Sequence, residues 1–264
     1  MPASALVRRR VAAGPLIPTN TFIPLIFRCV PDNSVNRHAL PRLPPHYHMR
    51  RFVRTRLRAM LDMDGLVPPI IYYVRHGLTD WNVEQRLQGR HDVALNKEGR
   101  AQSIRCGEIL RELMDRDGRA PNDFDYVSSP LIRARKTMEL IRATLDLEPR
   151  GYRVEPRLAE IAFGEWEGLT FAEVLARDKH VIARRESDKW GFLPPGGESY
   201  AQVGLRVSQW HASVVADTIV ATHGGTARAL IAYLALAAPQ EAASYSIEQG
   251  VVYAFTGKQL ARYG

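Results

Sequence analysis

Ile70-Ile71-Tyr72-Tyr73-Val74-Arg75-His76-Gly77 is the stretch on which the reading of the fold turns. Five apolar or aromatic residues run without alternation into Arg-His-Gly, which reads as a strand buried on both faces and ending in a sharp turn. An arginine and a histidine then sit at the carboxyl end of a central strand, where open α/β sheets bind ligands. A second run, Thr218-Ile219-Val220-Ala221-Thr222, ends the same way in His223-Gly224-Gly225. Two strand-to-turn histidines, 147 residues apart, make a candidate site.

Around these two strands the chain alternates strand with helix from Val67 to its end. Pro68-Pro69 punctuates the entry, and a polar loop runs from Leu78 to Leu95. Asn96 reads as the N-cap of a helix from Lys97 to about Met114, with Ala101, Ile104, Ile109, Leu110 and Leu113 on its apolar face. Phe124 to Val127 is a short strand. Ser129 is expected to cap the next helix, with Pro130 in its first position and the body running from Leu131 to about Leu145. Arg133 falls about one turn in, whereas Arg135 and Lys136 fall on solvated faces. Tyr152 to Glu155 is a further strand, Leu158 to Gly168 a structured loop, and Phe171 to about Arg185 a helix. Pro194 to Gly197 connects to a capping box, Ser199 to Gln202, and to a helix ending near Val215. An apolar helix from Thr226 to Leu236 and a strand from Val251 to Thr256 complete the pattern. The expectation is an α/β fold in three layers, a mainly parallel central sheet with helices on both faces, forming one domain over residues 67–264.

The chain has 264 residues and a net charge of +8. Residues 1–60 contain eleven arginines, no lysine and one acid, Asp32, so they carry +10 and the remaining 204 residues carry −2. The basic character therefore belongs to residues 1–66, a Pro- and Arg-rich segment without sustained period, expected to be a disordered tail without chemistry. Met49, Met60 and Met63 just before the first strand also allow that translation begins later than assumed. A transit peptide or a cationic arm for nucleic acid or membrane is disfavoured, because prolines break any amphipathic helix and no aromatics interleave the arginines. No segment approaches the ~20 apolar residues of a membrane span. Cys29 and Cys106 form no framework, which suits a reducing cytoplasm.

His76, His223, Arg75 and Arg133 come from the ends of three strands and would form a pocket for a compact dianion. The planar fork of arginine gives phosphate bidentate hydrogen bonds, and a helix N-terminus at His223-Gly224-Gly225 would add backbone donors. A lone histidine at a strand end is more often a satisfied polar residue. Two of them, each followed by a glycine that lets a ligand approach the backbone, favour a site. A metal centre is disfavoured, since Arg75 beside His76 would repel a cation and no third ligand stands at ligand spacing.

Arg75-His76-Gly77 with Thr79, Trp81-Asn82 and Leu87-Gln88-Gly89 closely resembles the histidine phosphatase superfamily, also called phosphoglycerate-mutase-like. So do Ser129-Pro130-Leu131 with Arg133-Ala134 and Thr137, Glu160 with Gly164, Trp166-Glu167-Gly168, and His223-Gly224-Gly225. The resemblance spans about residues 69–256. It implies that His76 is a nucleophile forming a phosphohistidine, that Arg75, Arg133 and His223 bind the phosphoryl oxygens, and that Glu160 is the general acid. Asn82, Thr79 and Gly224 would contact substrate. The choice of Glu160 over Glu165 and Glu167 rests on the family pattern, although Glu160 has the more apolar setting. The resemblance implies no metal and no other cofactor, because arginines and histidines supply the positive charge.

Within that family the mutase branch carries a long basic insertion between the acid and the second histidine. Here 63 residues separate Glu160 from His223, which favours a phosphatase. The block Pro195-Gly196-Gly197-Glu198-Ser199 resembles α-ribazole phosphatases and broad-specificity phosphatases. One departure stands out: Leu78 occupies the position after Arg-His-Gly that is usually Glu or Gln. The expected partner is a small-molecule phosphate ester, with no membrane and no nucleic acid, and a homodimer is left open. Phosphoglycerate-mutase-type transfer and a catalytically silent phosphoester-binding protein are the alternatives; a nucleic-acid-associated protein recruited through the arginine tail is a weaker one.

Overall fold

The computed structural model describes residues 68–177 and 179–264, so the expectations for the basic N-terminal segment, for Val67 and for Cys29 lie outside the described residues. The centre of the fold is β1 (Ile70–Arg75). It pairs in parallel with β4 (Thr218–Thr222) in a register that sets Arg75 opposite Thr222. The residues that follow those two strand ends are His76 and His223, and the His76 amide continues the ladder to the Thr222 carbonyl at 2.8 Å. Two distant histidines are thus neighbours because two buried strands end at the same level.

Six strands make one sheet, in the order β3-β2-β4-β1-β5-β6, where β2 is Asp125–Ser128, β3 Arg153–Val154, β5 Val252–Thr256 and β6 Gln259–Tyr263. The four strands on one side are parallel, while β5 and β6 run antiparallel. The mainly parallel sheet is therefore mixed at one edge. β6 was not expected from the sequence: as an edge strand it is half solvated and too polar to stand out.

Helices cover both faces, as the unbroken apolar strands require. On one face lie α2 (Lys97–Arg116) and α3 (Ile132–Thr144), packing Leu110, Met114, Met138 and Ile141 against Tyr72 and Val74. On the other lie α6 (Tyr200–His211) and α7 (Gly224–Tyr233), packing Val203, Trp210 and Leu230 against Ile71, Tyr73 and Val220. Between β1 and α2 is a short helix, α1 (Asp80–Val83); α4 (Phe171–Arg177) and α5 (Lys179–Ser187) follow the loop 158–168 and pack Val174, Val181 and Ile182 with its Trp166, and α8 (Pro239–Ala242) follows α7.

Several boundaries differ from the sequence reading. The core face of α2 is built on Ser103, Cys106, Gly107, Leu110 and Met114, and Ile104 is 41% exposed. Small residues there let α2 approach α3 closely: a methyl on Gly107 would lie 2.7 Å from Thr144 Cβ. Helix α3 starts at Ile132 rather than at Pro130, with Leu131 in the N-cap position; Ser129 stands two residues before it, its Oγ meeting His223 Nε2 at 2.6 Å and accepting from Leu131 N at 3.3 Å. The expected helix from Phe171 to Arg185 is two helices, and the one after Ser199 stops at His211, four residues early. The caps at Asn96 and Ser199 are formed, with Gly99 N donating to Asn96 Oδ1 at 2.8 Å and Gln202 N to Ser199 Oγ at 3.3 Å. Among the described residues no helix is long and apolar enough to cross a membrane.

Candidate active site

The site sits at the carboxyl ends of β1, β4 and β2, the three adjacent parallel strands. Arg75 and His76 leave β1, His223 leaves β4, and Ser129 leaves β2, its amide bonded to the Ala221 carbonyl at 3.0 Å. Gly77 makes the turn possible by contact: a methyl there would sit 2.0 Å from the carbonyl oxygen of Gly99, in the first turn of α2.

His76 and His223 have ring centroids 5.1 Å apart. His76 Nδ1 lies 2.8 Å from the Gly77 carbonyl oxygen, which can only accept, so Nδ1 carries the proton. Nε2 then presents its lone pair, toward which Arg133 Nε donates at 3.3 Å. Burial, then the Arg133 and Arg75 charges, hold the imidazole well below its ordinary pKa and keep it neutral. His223 is lowered well below in the same way, first by burial and then by Arg133 and His76; its Nε2 meets Ser129 Oγ at 2.6 Å, and its Nδ1 is buried without a partner among the described residues.

Arg133 is fully buried, yet its guanidinium meets only neutral acceptors besides His76: the carbonyls of His91 at 2.6 Å and Gly89 at 2.8 Å. Arg75 donates to the Ile247 carbonyl at 2.6 Å, and its Nε is buried without a partner among the described residues. Neither arginine has a carboxylate within ion-pairing distance among the described residues. Leaving a buried charge uncompensated costs several kcal/mol, so the two guanidiniums form a receptor for an anion. Burial lowers both from the usual arginine value without changing their charge.

Glu160 approaches from the loop after β3. Its Oε1 accepts from Ile161 N at 2.9 Å and from Gly225 N, in the first turn of α7, at 3.0 Å. Gly225 is required for that approach, since a methyl there would lie 2.3 Å from Oε1. The loop itself is clamped by Arg206 of α6, which donates to the carbonyls of Arg157 and Ala159 at 2.6 Å and of Glu160 at 3.2 Å. Glu165 and Glu167 do not line the cavity; Glu167 accepts from Arg90 N and Phe163 N instead.

These groups open on a cavity of ≈ 230 Å³ lined by Arg75, His76, Arg133, Glu160, Asn82 and the backbone of Gly224 and Gly225, among others. Four of the five residues singled out as catalytic, Arg75, His76, Arg133 and Glu160, line the cavity; the fifth, His223, does not, being fully buried beside the His76 ring with its Nε2 turned to Ser129 rather than to the place expected for phosphoryl oxygens. Asn82 reaches the cavity, with its Oδ1 accepting from Gln249 Nε2 at 3.1 Å. Thr79 does not line it: fully buried, it caps α1 and fixes Asn82, whose backbone N donates to Thr79 Oγ1 at 3.2 Å. Leu78 is likewise turned away, its backbone N donating to Gln102. Two contributors escaped the sequence reading. Ser129 lay in the motif but was assigned to a cap, and Gln249, which donates to the His76 carbonyl at 2.9 Å, carried no local signal. Among the described residues no group of three or more His, Cys, Asp or Glu side chains is placed to hold a metal ion.

The sequence model of the histidine phosphatase superfamily (branch 1) matches residues 71–259. A 2,3-bisphosphoglycerate-dependent phosphoglycerate mutase 2 from Gloeobacter violaceus is 31% identical over 193 residues, covering 70% of this chain and 84% of that protein. A glucosyl-3-phosphoglycerate phosphatase from Mycobacterium tuberculosis is 34% identical over 175 residues, covering 61% and 73%. A crystal structure from Escherichia coli, described as a candidate α-ribazole-5′-P phosphatase, shares the fold with a TM-score of 0.61 at 23% identity, covering 74% of this chain and 94% of that one.

Proposed function

The chain belongs to the histidine phosphatase superfamily, and on that premise we propose that it hydrolyses phosphomonoesters of small metabolites through a phosphohistidine on His76. The observation that carries this reading is the pairing of a neutral imidazole lining the cavity, its unprotonated Nε2 facing Arg133, with two buried guanidiniums that have no acidic partner within ion-pairing distance among the described residues.

The Nε2 lone pair of His76 attacks phosphorus as the ester P–O bond breaks, and Glu160 gives its proton to the departing alkoxide. Arg75 and Arg133 meet the charge on the equatorial oxygens, while His223, which does not line the cavity, backs the His76 ring. Glu160, now a carboxylate, takes a proton from water as the hydroxide adds to phosphorus. The P–N bond breaks, and inorganic phosphate leaves with His76 restored. The arginines supply the positive charge a metal would otherwise bring, so the reaction proceeds without one. A reducing cytoplasm suits it, and a small phosphate ester is its partner.

A phosphomonoester panel run in EDTA tests the reading. Wild type should turn over undiminished by the chelator. His76→Ala should lose about 10⁴-fold or more. Glu160→Gln should lose about 10²-fold or more on alkyl esters and far less on p-nitrophenyl phosphate, whose leaving group needs no proton. Full turnover by His76→Ala overturns the mechanism.

The mutase relative favours a second reading, phosphoryl transfer between positions of one substrate. With 3-phosphoglycerate and a trace of 2,3-bisphosphoglycerate, a hydrolase releases inorganic phosphate and a mutase makes 2-phosphoglycerate. The 63-residue interval between Glu160 and His223 supports the hydrolase.

A further inference from the structure

Beyond Arg75 and Arg133, three more arginines line the cavity: Arg86, Arg185 and Arg228. Two of them are already neutralised. Arg86 is paired with Glu84 at 2.6 Å and Glu173 at 3.2 Å. Arg185 is paired with Glu186 at 2.6 Å and lies 4.8 Å over the Phe171 ring. Arg228, on α7, is different. Its Nε donates to the Tyr245 carbonyl at 2.8 Å and its Nη1 to the Tyr200 hydroxyl at 3.3 Å, and no carboxylate lies within ion-pairing distance among the described residues.

Those two bonds fix where the charge points. A methyl placed on Gly224 would lie 3.5 Å from Arg228 Nη1 and 3.6 Å from Arg75 Nε, so both guanidiniums reach the same part of the cavity wall. Bringing like charges together is unfavourable unless opposite charge arrives between or beside them. The two charges of a phosphomonoester dianion are matched by Arg75 and Arg133. The charge of Arg228 is left over.

We propose, resting on the phosphatase reading above, that Arg228 binds a second anionic group of the substrate, so that the preferred substrates are small phosphomonoesters bearing a carboxylate or a second phosphate. An arginine fork suits either group. Because Arg228 and Arg75 both approach Gly224, the carbon skeleton between the two groups is a short one.

The test uses the full chain with p-nitrophenyl phosphate as reporter and three competitors of one skeleton: glycerol 3-phosphate, 3-phosphoglycerate and 1,3-bisphosphoglycerol. Wild type should be inhibited at least about tenfold more tightly by one or both of the doubly anionic competitors than by glycerol 3-phosphate. Whichever inhibits more tightly identifies the second group. Arg228→Met should bring the ratio to within about threefold of one, while Arg228→Lys, which keeps the charge, should retain part of the preference, a pattern that a packing defect would not give. A wild-type ratio near one overturns the inference and leaves the phosphatase reading standing. So does an Arg228→Met variant that loses affinity for all three alike, because Arg228 would then serve the reacting phosphate. No turnover of p-nitrophenyl phosphate and no phosphoenzyme would instead bring down the phosphatase reading, and this inference with it.

Discussion

The Nε2 lone pair of His76 is available only while the imidazole is uncharged, and burial together with Arg133 and Arg75 keeps it so. The acid limb of kcat/KM, corrected for titration of the substrate, should therefore fall below pH 6.5, the ordinary value for histidine. Arg133→Met removes one of the cations that depress it and should move that limb upward while lowering kcat. A limb that stays at pH 6.5 in wild type would contradict the assignment. The same shift bears on stability. His76, His223 and the half-buried His211 all have lowered values when folded. The unfolded chain takes up protons near pH 6.5 and the folded one does not, so their contribution is present above 6.5 and lost as the pH falls below it. Urea midpoints should be flat from about pH 7 to 8 and decline from about 6.5 toward 5, above the range where carboxylates titrate. The histidines, arginines and Glu160 were legible as residues because each ends a buried run or sits in a short motif. Arg228 was not, since within an apolar helix nothing in the sequence separates a charge facing a cavity from one facing solvent.

At the level of elements, the parallel register of β1 and β4 and the start of α7 decide the geometry. The carboxyl ends of the strands could be read because apolar runs stop abruptly at His76 and His223. Their contact could not, since it depends on which strands become neighbours. β6 and the start of α3 were missed for separate reasons: a solvated edge strand lacks an apolar run, and Leu131 takes the N-cap position while the Ser129 hydroxyl is shared between His223 and the Leu131 amide. Gly225→Ala should displace Glu160, since a methyl there would overlap its carboxylate. We expect turnover of alkyl esters to fall at least about tenfold more than that of p-nitrophenyl phosphate; equal losses would mean that Glu160 is not the proton donor. Ser199→Ala removes the cap of α6, the helix that carries Arg206. It should cost about 1 kcal/mol in urea unfolding, and no change would show that tertiary packing alone holds that helix end.

For the molecule as a whole, the catalytic groups and the core that places them come from residues 70–255, and the charge of that part differs in sign from that of residues 1–60. A chain starting at Pro68 should keep turnover on p-nitrophenyl phosphate. Any binding of the full chain to nucleic acid should weaken steeply with salt and disappear in the shorter chain; loss of turnover on truncation would mean that the N-terminal segment supports the site. The claim on which the rest depends is that phosphorus is transferred to one nitrogen of one side chain. It is tested most directly by quenching the enzyme during turnover of a ³²P-labelled ester and locating the label by fragmentation of the labelled peptide and by phosphorus NMR. An acid-labile, base-stable phosphate on Nε2 of His76 is the predicted result. A label on His223 or on Nδ1 of His76, or steady turnover with no labelled histidine at all, would contradict it.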